Sequence, residues 1–143
     1  MYTPHTVTII NTYTDEMLKN KNNLTVLEGV FYDASKGSNV RMSGLENADS
    51  VVVYVPVTVN AYDPITNNKK YYLNPKDFEE VEDKENYFTF DVGETCFFAK
   101  GIVTDERASF KQINDRYNAH RITKIDLKDF GSSSMQHWEV GGA

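Results

Sequence analysis

The residues best suited to chemistry in this sequence are three histidines and one cysteine. His5, His120 and His137 lie far apart, and none has the His-Glu-x-x-His spacing of a metal site. Cys96 lies in Thr-Cys-Phe-Phe among strand-forming residues, which predicts a buried, unreactive thiol, because a thiolate needs exposure and nearby positive charge. We therefore predict no catalytic residue, no metal site and no cofactor.

The remaining motifs give the same result. Asp105-Glu106 and the pair Asp126 and Asp129 are candidates for acid–base work, but surface charge explains them more simply. The sequence contains neither a Gly-x-Ser-x-Gly elbow nor a phosphate-binding loop. The prediction is a protein that is not an enzyme.

Length and charge restrict the classes further. The 143 residues suit one domain, residues 1–143, and the formal net charge is −6. Residues 75–94 hold eight acids and two bases, so this acidic segment carries the whole net charge. It is either a solvated helix and loop, or an acidic face that meets a basic partner or repels DNA. The longest apolar run, residues 51–57, is too short to span a bilayer, so we expect no membrane partner.

The elements that would position these residues are mostly strands. Residues 6–13 and 24–32 are rich in β-branched residues and predict two strands joined by a loop at 15–23, with a bulge at Gly29. Residues 50–59 are the strongest strand signal, and we expect Val51, Val53, Val55 and Ile102 in the core. Short helices are predicted after Asn74 and Ser109. The predicted fold is mainly β, a small antiparallel barrel or sandwich with one or two short helices.

A long loop is expected between the second and third strands, at residues 35–49. Loops of this length in a compact domain are usually functional or disordered. The segment is therefore either an interaction loop or an ordinary mobile loop. Its candidate partner-binding residues are Lys36, Asn39, Val40, Arg41, Met42 and Leu45.

The carboxy-terminal residues 134–143 are predicted to dock as a strand. Trp138 is the only tryptophan, and a frayed tail would waste its large apolar surface. We expect main-chain pairing at a sheet edge, with Trp138 in a pocket of the same subunit or of a neighbour. The final Gly-Gly-Ala is either a flexible end or fits against a tight surface. The docking residues are Met135, His137, Trp138 and Val140.

Several segments together resemble a known family. They are the opening Pro-His-Thr-Val-Thr-Ile-Ile-Asn from residue 4, Gly-Val-Phe-Tyr-Asp-Ala-Ser-Lys from residue 29, and Asn-Val-Arg-Met-Ser-Gly-Leu-Glu from residue 39. The ending Met-Gln-His-Trp-Glu-Val-Gly-Gly-Ala from residue 135 is the most specific. The chain resembles short proteins encoded among the head and tail genes of phages and prophages.

This resemblance implies a structural role in the virion. The family is similar in size and gene neighbourhood to head-completion proteins, so we expect a head–tail connector of the stopper type, a β-barrel with a long loop. Such a subunit would form a ring with copies of itself at the neck of the virion. During assembly it would be located in the host cytoplasm. Its partners would be portal or adaptor proteins, tail-completion proteins, and phage DNA that passes without being read. The alternatives are a tail terminator or tail-completion ring, or, in another class, a carbohydrate- or protein-binding β module.

Overall fold

The computed structural model describes residues 4–34, 51–132 and 135–143. The described part contains short helices named α1 (Pro75–Glu80) and α2 (Phe110–Tyr117), and a 3-10 helix, Lys84–Asn86. Its strands are β1 (His5–Thr14), β2 (Asn20–Asp33), β3 (Val51–Pro56), β4 (Asn60–Tyr62), β5 (Tyr71–Tyr72), β6 (Tyr87–Phe88), β7 (Cys96–Lys100), β8 (Ala119–Lys128) and β9 (His137–Gly142). The predicted mainly β class with short helices is confirmed.

The main sheet closes on itself. Its strand order is β1-β7-β8-β9-β3-β2-β4, and β1 also pairs with β2, so the strands from β1 to β2 form a ring. Every pairing around this ring is antiparallel. Each strand of this ring has a partner on both sides, and β4 follows β3 along the edge of β2 that faces away from β1. The described residues therefore form a small antiparallel barrel in which β4 continues the wall begun by β3.

The two ends of the barrel differ. β2 ends and β3 begins at one end, where Asp33 pairs with Val52; we name this the insert end, because residues 35–50, which lie outside the described residues, connect these two strands in the sequence. The β1–β2 turn, the start of β7 and the β8–β9 connection lie at the opposite end. Aromatic side chains of segment 57–95 pack into the barrel there, so we name it the plug end.

The β1–β2 hairpin turns earlier than the sequence suggested. The predicted loop at 15–23 is wrong, since β2 already begins at Asn20. Oδ1 of Asp15 accepts hydrogen bonds from the backbone N–H groups of Met17 and Lys19, at 2.9 and 3.0 Å, and this tightens the turn. The bulge predicted at Gly29 is present, because the register shifts there and Gly29 has φ +89°.

Strands β1, β2 and β7 are covered on both faces. Val7, Ile9 and Leu27 belong to the barrel interior, whereas Ile10 and Leu24 belong to a second cluster on the outer face. Helix α2 covers that outer face with Ile113, which is fully buried. The Ser109 side chain caps α2 in a capping box with Gln112, as the predicted helix start requires.

The predicted core is confirmed in β3 and wrong at Ile102. Val51, Val53 and Val55 are at most 2% exposed. Ile102, by contrast, is 50% exposed, because β7 ends at Lys100 and does not continue through residues 101–104. Gly101 has φ +95°, a left-handed conformation that turns the chain away from the sheet.

Candidate functional site

The carboxy-terminal strand β9 is one of the strands that form the barrel wall. It pairs with β3 on one side and with β8 on the other, so the predicted strand and its main-chain pairing are present, but the strand lies between two partners and not at a sheet edge. The Trp138 side chain packs against its own chain. The centroid of its ring lies 4.7 Å from that of Tyr72 and 5.5 Å from that of Phe90. Trp138 is 9% exposed and belongs to the barrel core.

The other residues of the predicted docking set are divided. Val140 is 1% exposed and lies in the core, whereas Met135 is 64% exposed in the β8–β9 connection. His137 is half-buried, and its Nε2 lies 3.2 Å from Oε2 of Glu139. Within one chain, Met135 is therefore the residue of this set that stays open to a neighbour.

The end of β9 fits against a tight surface, as one of the two sequence alternatives proposed. A Cβ atom at Gly142 would come within 2.6 Å of two ring atoms of Phe98 and 2.9 Å of Cβ of His120. Both Phe98 and Gly142 lie in paired strands, so a shift of either backbone would disturb the pairing with neighbouring strands. Glycine at residue 142 is thus required by close packing.

His5 and His120 both contact Tyr32, whereas Cys96 lies apart from the histidines in the core. The Tyr32 backbone N–H donates to Nδ1 of His5 at 3.0 Å, and the Tyr32 hydroxyl lies 3.1 Å from Nε2 of His120. Burial lowers the pKa of His120. Cys96 is 1% exposed, and burial raises the pKa of its thiol to about 12, so the thiol is protonated at neutral pH. Among residues 4–34, 51–132 and 135–143, no group of three His, Cys, Asp or Glu side chains is placed to hold a metal ion.

Sequence reasoning missed a buried lysine. Lys70 is 2% exposed, and its Nζ donates to Oδ1 of Asn23 at 2.8 Å and to the Leu24 carbonyl at 2.9 Å. Nδ2 of Asn23 donates to the Tyr87 carbonyl at 2.8 Å. Desolvation lowers the pKa of Lys70 to about 8 and outweighs the opposing charges of Asp63 and Glu85. The signal in the sequence is weak, because the adjacent Lys69 is exposed and looks identical.

Large apolar side chains project at the plug end. We name the following set the tip surface: Met17, Leu18, Val92, Phe130 and Met135, each more than half exposed. A groove of about 850 Å³ lies beside it, between the β1–β2 turn and α1, lined by acids that include Glu16, Glu79 and Glu82. The tip surface is therefore apolar with an acidic border.

A row of half-buried rings crosses the outside of the barrel. It runs from His5 through Phe31 and Tyr54 to His137, with ring centroids 5.6, 5.9 and 6.1 Å apart. The rings are tilted by more than 50° to one another, so they do not form one flat platform. We name this set the ring row.

The predicted partner-binding loop lies outside the described residues. Its candidate residues are Lys36, Asn39, Val40, Arg41, Met42 and Leu45. The described residues do fix where this loop begins and ends, which is the insert end of the barrel. No helix in the described part of the chain is long and apolar enough to span a membrane.

The described residues define a small closed antiparallel barrel whose insert end and plug end differ, with the apolar tip surface at the plug end. Residues 2–143 match a family described as "Family of unknown function (DUF6751)", and the chain belongs to that family. No curated protein and no solved structure is significantly similar to it.

Proposed function

We propose that the chain is a phage virion protein, a head–tail connector subunit of the stopper type. Copies of it would form a ring at the neck, around the channel through which the DNA passes. The portal or adaptor would lie on one side of this ring and the tail-completion proteins on the other. The subunit would be made in the host cytoplasm and incorporated into the virion during assembly.

The observation that carries this proposal is the polarity of the barrel. The end of β2 and the start of β3, which flank residues 35–50, lie at one end, and the tip surface lies at the other. A subunit between two different neighbours needs two different contact surfaces, and a rigid closed barrel holds them a fixed distance apart. Each strand of the ring pairs with a neighbour on both sides, so the described part of the barrel has no strand with a wholly free edge.

The charge distribution agrees with a DNA channel. The acidic segment carries the net charge of −6, and its helix α1 lies beside the acidic groove at the plug end. An acidic subunit repels the phosphate backbone, so DNA that passes through the ring is not held tightly. A subunit that had to grip DNA would need the opposite charge.

Deleting the gene from the phage or prophage that encodes it tests the role. For a stopper, we expect filled heads that lose their DNA and separate from otherwise normal tails. Tails of abnormal length on stable, filled heads would instead indicate the alternative role of tail terminator. Normal, infectious particles would exclude every connector role.

The tip surface is tested in the same particles by a paired substitution. Met17→Asp with Leu18→Asp places two charges on side chains that are 74% and 86% exposed, so the fold should be unaffected. We expect a folded subunit that fails to restore head–tail joining. Ile65→Asp is the control, because Ile65 is 51% exposed outside the tip surface. Full restoration by the paired variant would contradict contact through the tip surface.

A binding module is the second candidate, and the ring row is the observation that favours it. Aromatic rings on a sheet face are suited to stacking against sugars or to contacting another protein. The tilt between neighbouring rings argues against stacking of several successive sugars on the ring row, because that would need rings in one plane. Titrating the protein with soluble cell-wall glycans tests it, and binding that Tyr54→Ala abolishes would favour the module over the connector.

A further inference from the structure

The strongest unexplained feature is the contact between Lys70 and Asn23. The lysine amine lies 2.8 Å from the side-chain amide oxygen of Asn23, which places the amide carbon within about 4 Å of Nζ. Both side chains are buried, at 2% and 5% exposure. An amine and a carboxamide are therefore held together, away from water, in the interior of the protein.

Burial makes the neutral form of the Lys70 amine more accessible than it is in water. The two hydrogen bonds of Nζ go to an amide oxygen and a backbone carbonyl oxygen, so neither acceptor carries a full charge. The pKa of about 8 means that about half of the amine is neutral near pH 8, and a neutral lysine amine is a nucleophile. The charges of Asp63 and Glu85 act on Lys70 and favour the ammonium form, but burial outweighs them.

The amide of Asn23 is held in a fixed orientation next to the amine. Its Nδ2 donates to the Tyr87 carbonyl, while its oxygen accepts from Lys70, so the group cannot rotate freely. Holding two reacting groups in contact removes most of the entropy cost of bringing them together. Lys70 also lines a cavity of about 330 Å³ together with Tyr72, Phe88 and Trp138.

We propose that Lys70 and Asn23 form an intramolecular isopeptide bond. The lone pair of neutral Nζ attacks Cγ of Asn23, a new C–N bond forms, and the bond from Cγ to Nδ2 breaks. One Nζ proton is transferred to the departing nitrogen, which leaves as ammonia, and the second stays on the new amide. No oxidant, metal or further reactant is consumed.

Such a bond would tie β2 to the segment just before β5. Its ends are 47 residues apart in the chain, so it would close a long loop and restrict the unfolded chain. The link would also join the barrel wall to the segment that fills its plug end. A virion protein under mechanical load would gain from this, but the proposal does not depend on the connector role.

Intact-mass spectrometry of the denatured full-length protein tests the proposal directly. We expect a mass that is lower than the sequence mass by one ammonia. The fraction of protein with this lower mass should rise during incubation, and it should rise faster at pH 9 than at pH 7 because more of Nζ is then neutral. Tryptic peptides should include one branched species that joins the peptides containing Lys70 and Asn23. A protein that keeps the full sequence mass after incubation at pH 9 would overturn the proposal.

Two variants separate this bond from other losses of ammonia. Lys70→Arg removes the nucleophile while keeping the positive charge. This variant should therefore keep the full mass of its sequence, without loss of ammonia. Lys69→Arg is the matched control, because Lys69 is the neighbouring lysine and is exposed, and it should lose ammonia as the parent does. If the parent loses ammonia through an asparagine succinimide instead, no branched peptide will be found, and the proposal is wrong.

Discussion

Replacing Trp138 by alanine tests whether the carboxy-terminal strand belongs to the core of its own chain. The indole is 9% exposed and contacts the rings of Tyr72 and Phe90. Truncating a buried Trp to Ala costs about 3–5 kcal/mol, a large part of the 5–15 kcal/mol that holds a typical domain folded. At this chain length, that loss lowers the melting temperature by roughly 6–20 °C.

The assay is thermal unfolding followed by far-ultraviolet circular dichroism, because the variant has lost the only tryptophan fluorophore. Trp138→Phe keeps an aromatic ring against Tyr72 and should lose less stability than Trp138→Ala. Met135→Ala is the control on the same terminal segment, and its 64% exposure predicts almost no change. A Trp138→Ala protein that melts with the parent yet fails to assemble would refute the own-chain packing and favour a pocket in a neighbour.

Three further substitutions test close packing, a helix cap and a titrating group. Gly142→Ala should cost about 1–3 kcal/mol in urea unfolding, and the cost should shrink in a Phe98→Leu background if the Phe98 ring causes the clash. Ser109→Ala should cost about 1 kcal/mol by loss of the cap of α2, and an unchanged midpoint would show that the cap is dispensable. Burial lowers the pKa of His120, so the unfolded chain takes up its proton first, and parental stability should fall as the pH drops below 6.5. His120→Gln should reduce that fall, and equal pH profiles for parent and variant would contradict the assignment.

Local patterns in the sequence determined much of the fold. β-Branched residues predicted β1 and β2, a continuous apolar run predicted β3, and Ser109 predicted the start of α2, because these signals depend on neighbours along the chain. The buried state of Val51, Val53 and Val55 followed from their run of apolar residues. The hairpin loop was placed too long, since the turn depends on how Asp15 bonds to the backbone.

Only the tertiary structure decided how distant segments meet. Nothing local states that β9 enters between β3 and β8, because strand pairing depends on partners far away in the chain. For the same reason the sequence left open whether Trp138 packs in its own subunit or in a neighbouring one. In the structure, Trp138 belongs to the core of its own chain. Lys69 and Lys70 are the same residue type side by side, yet only the position of β2 buries one of them against Asn23.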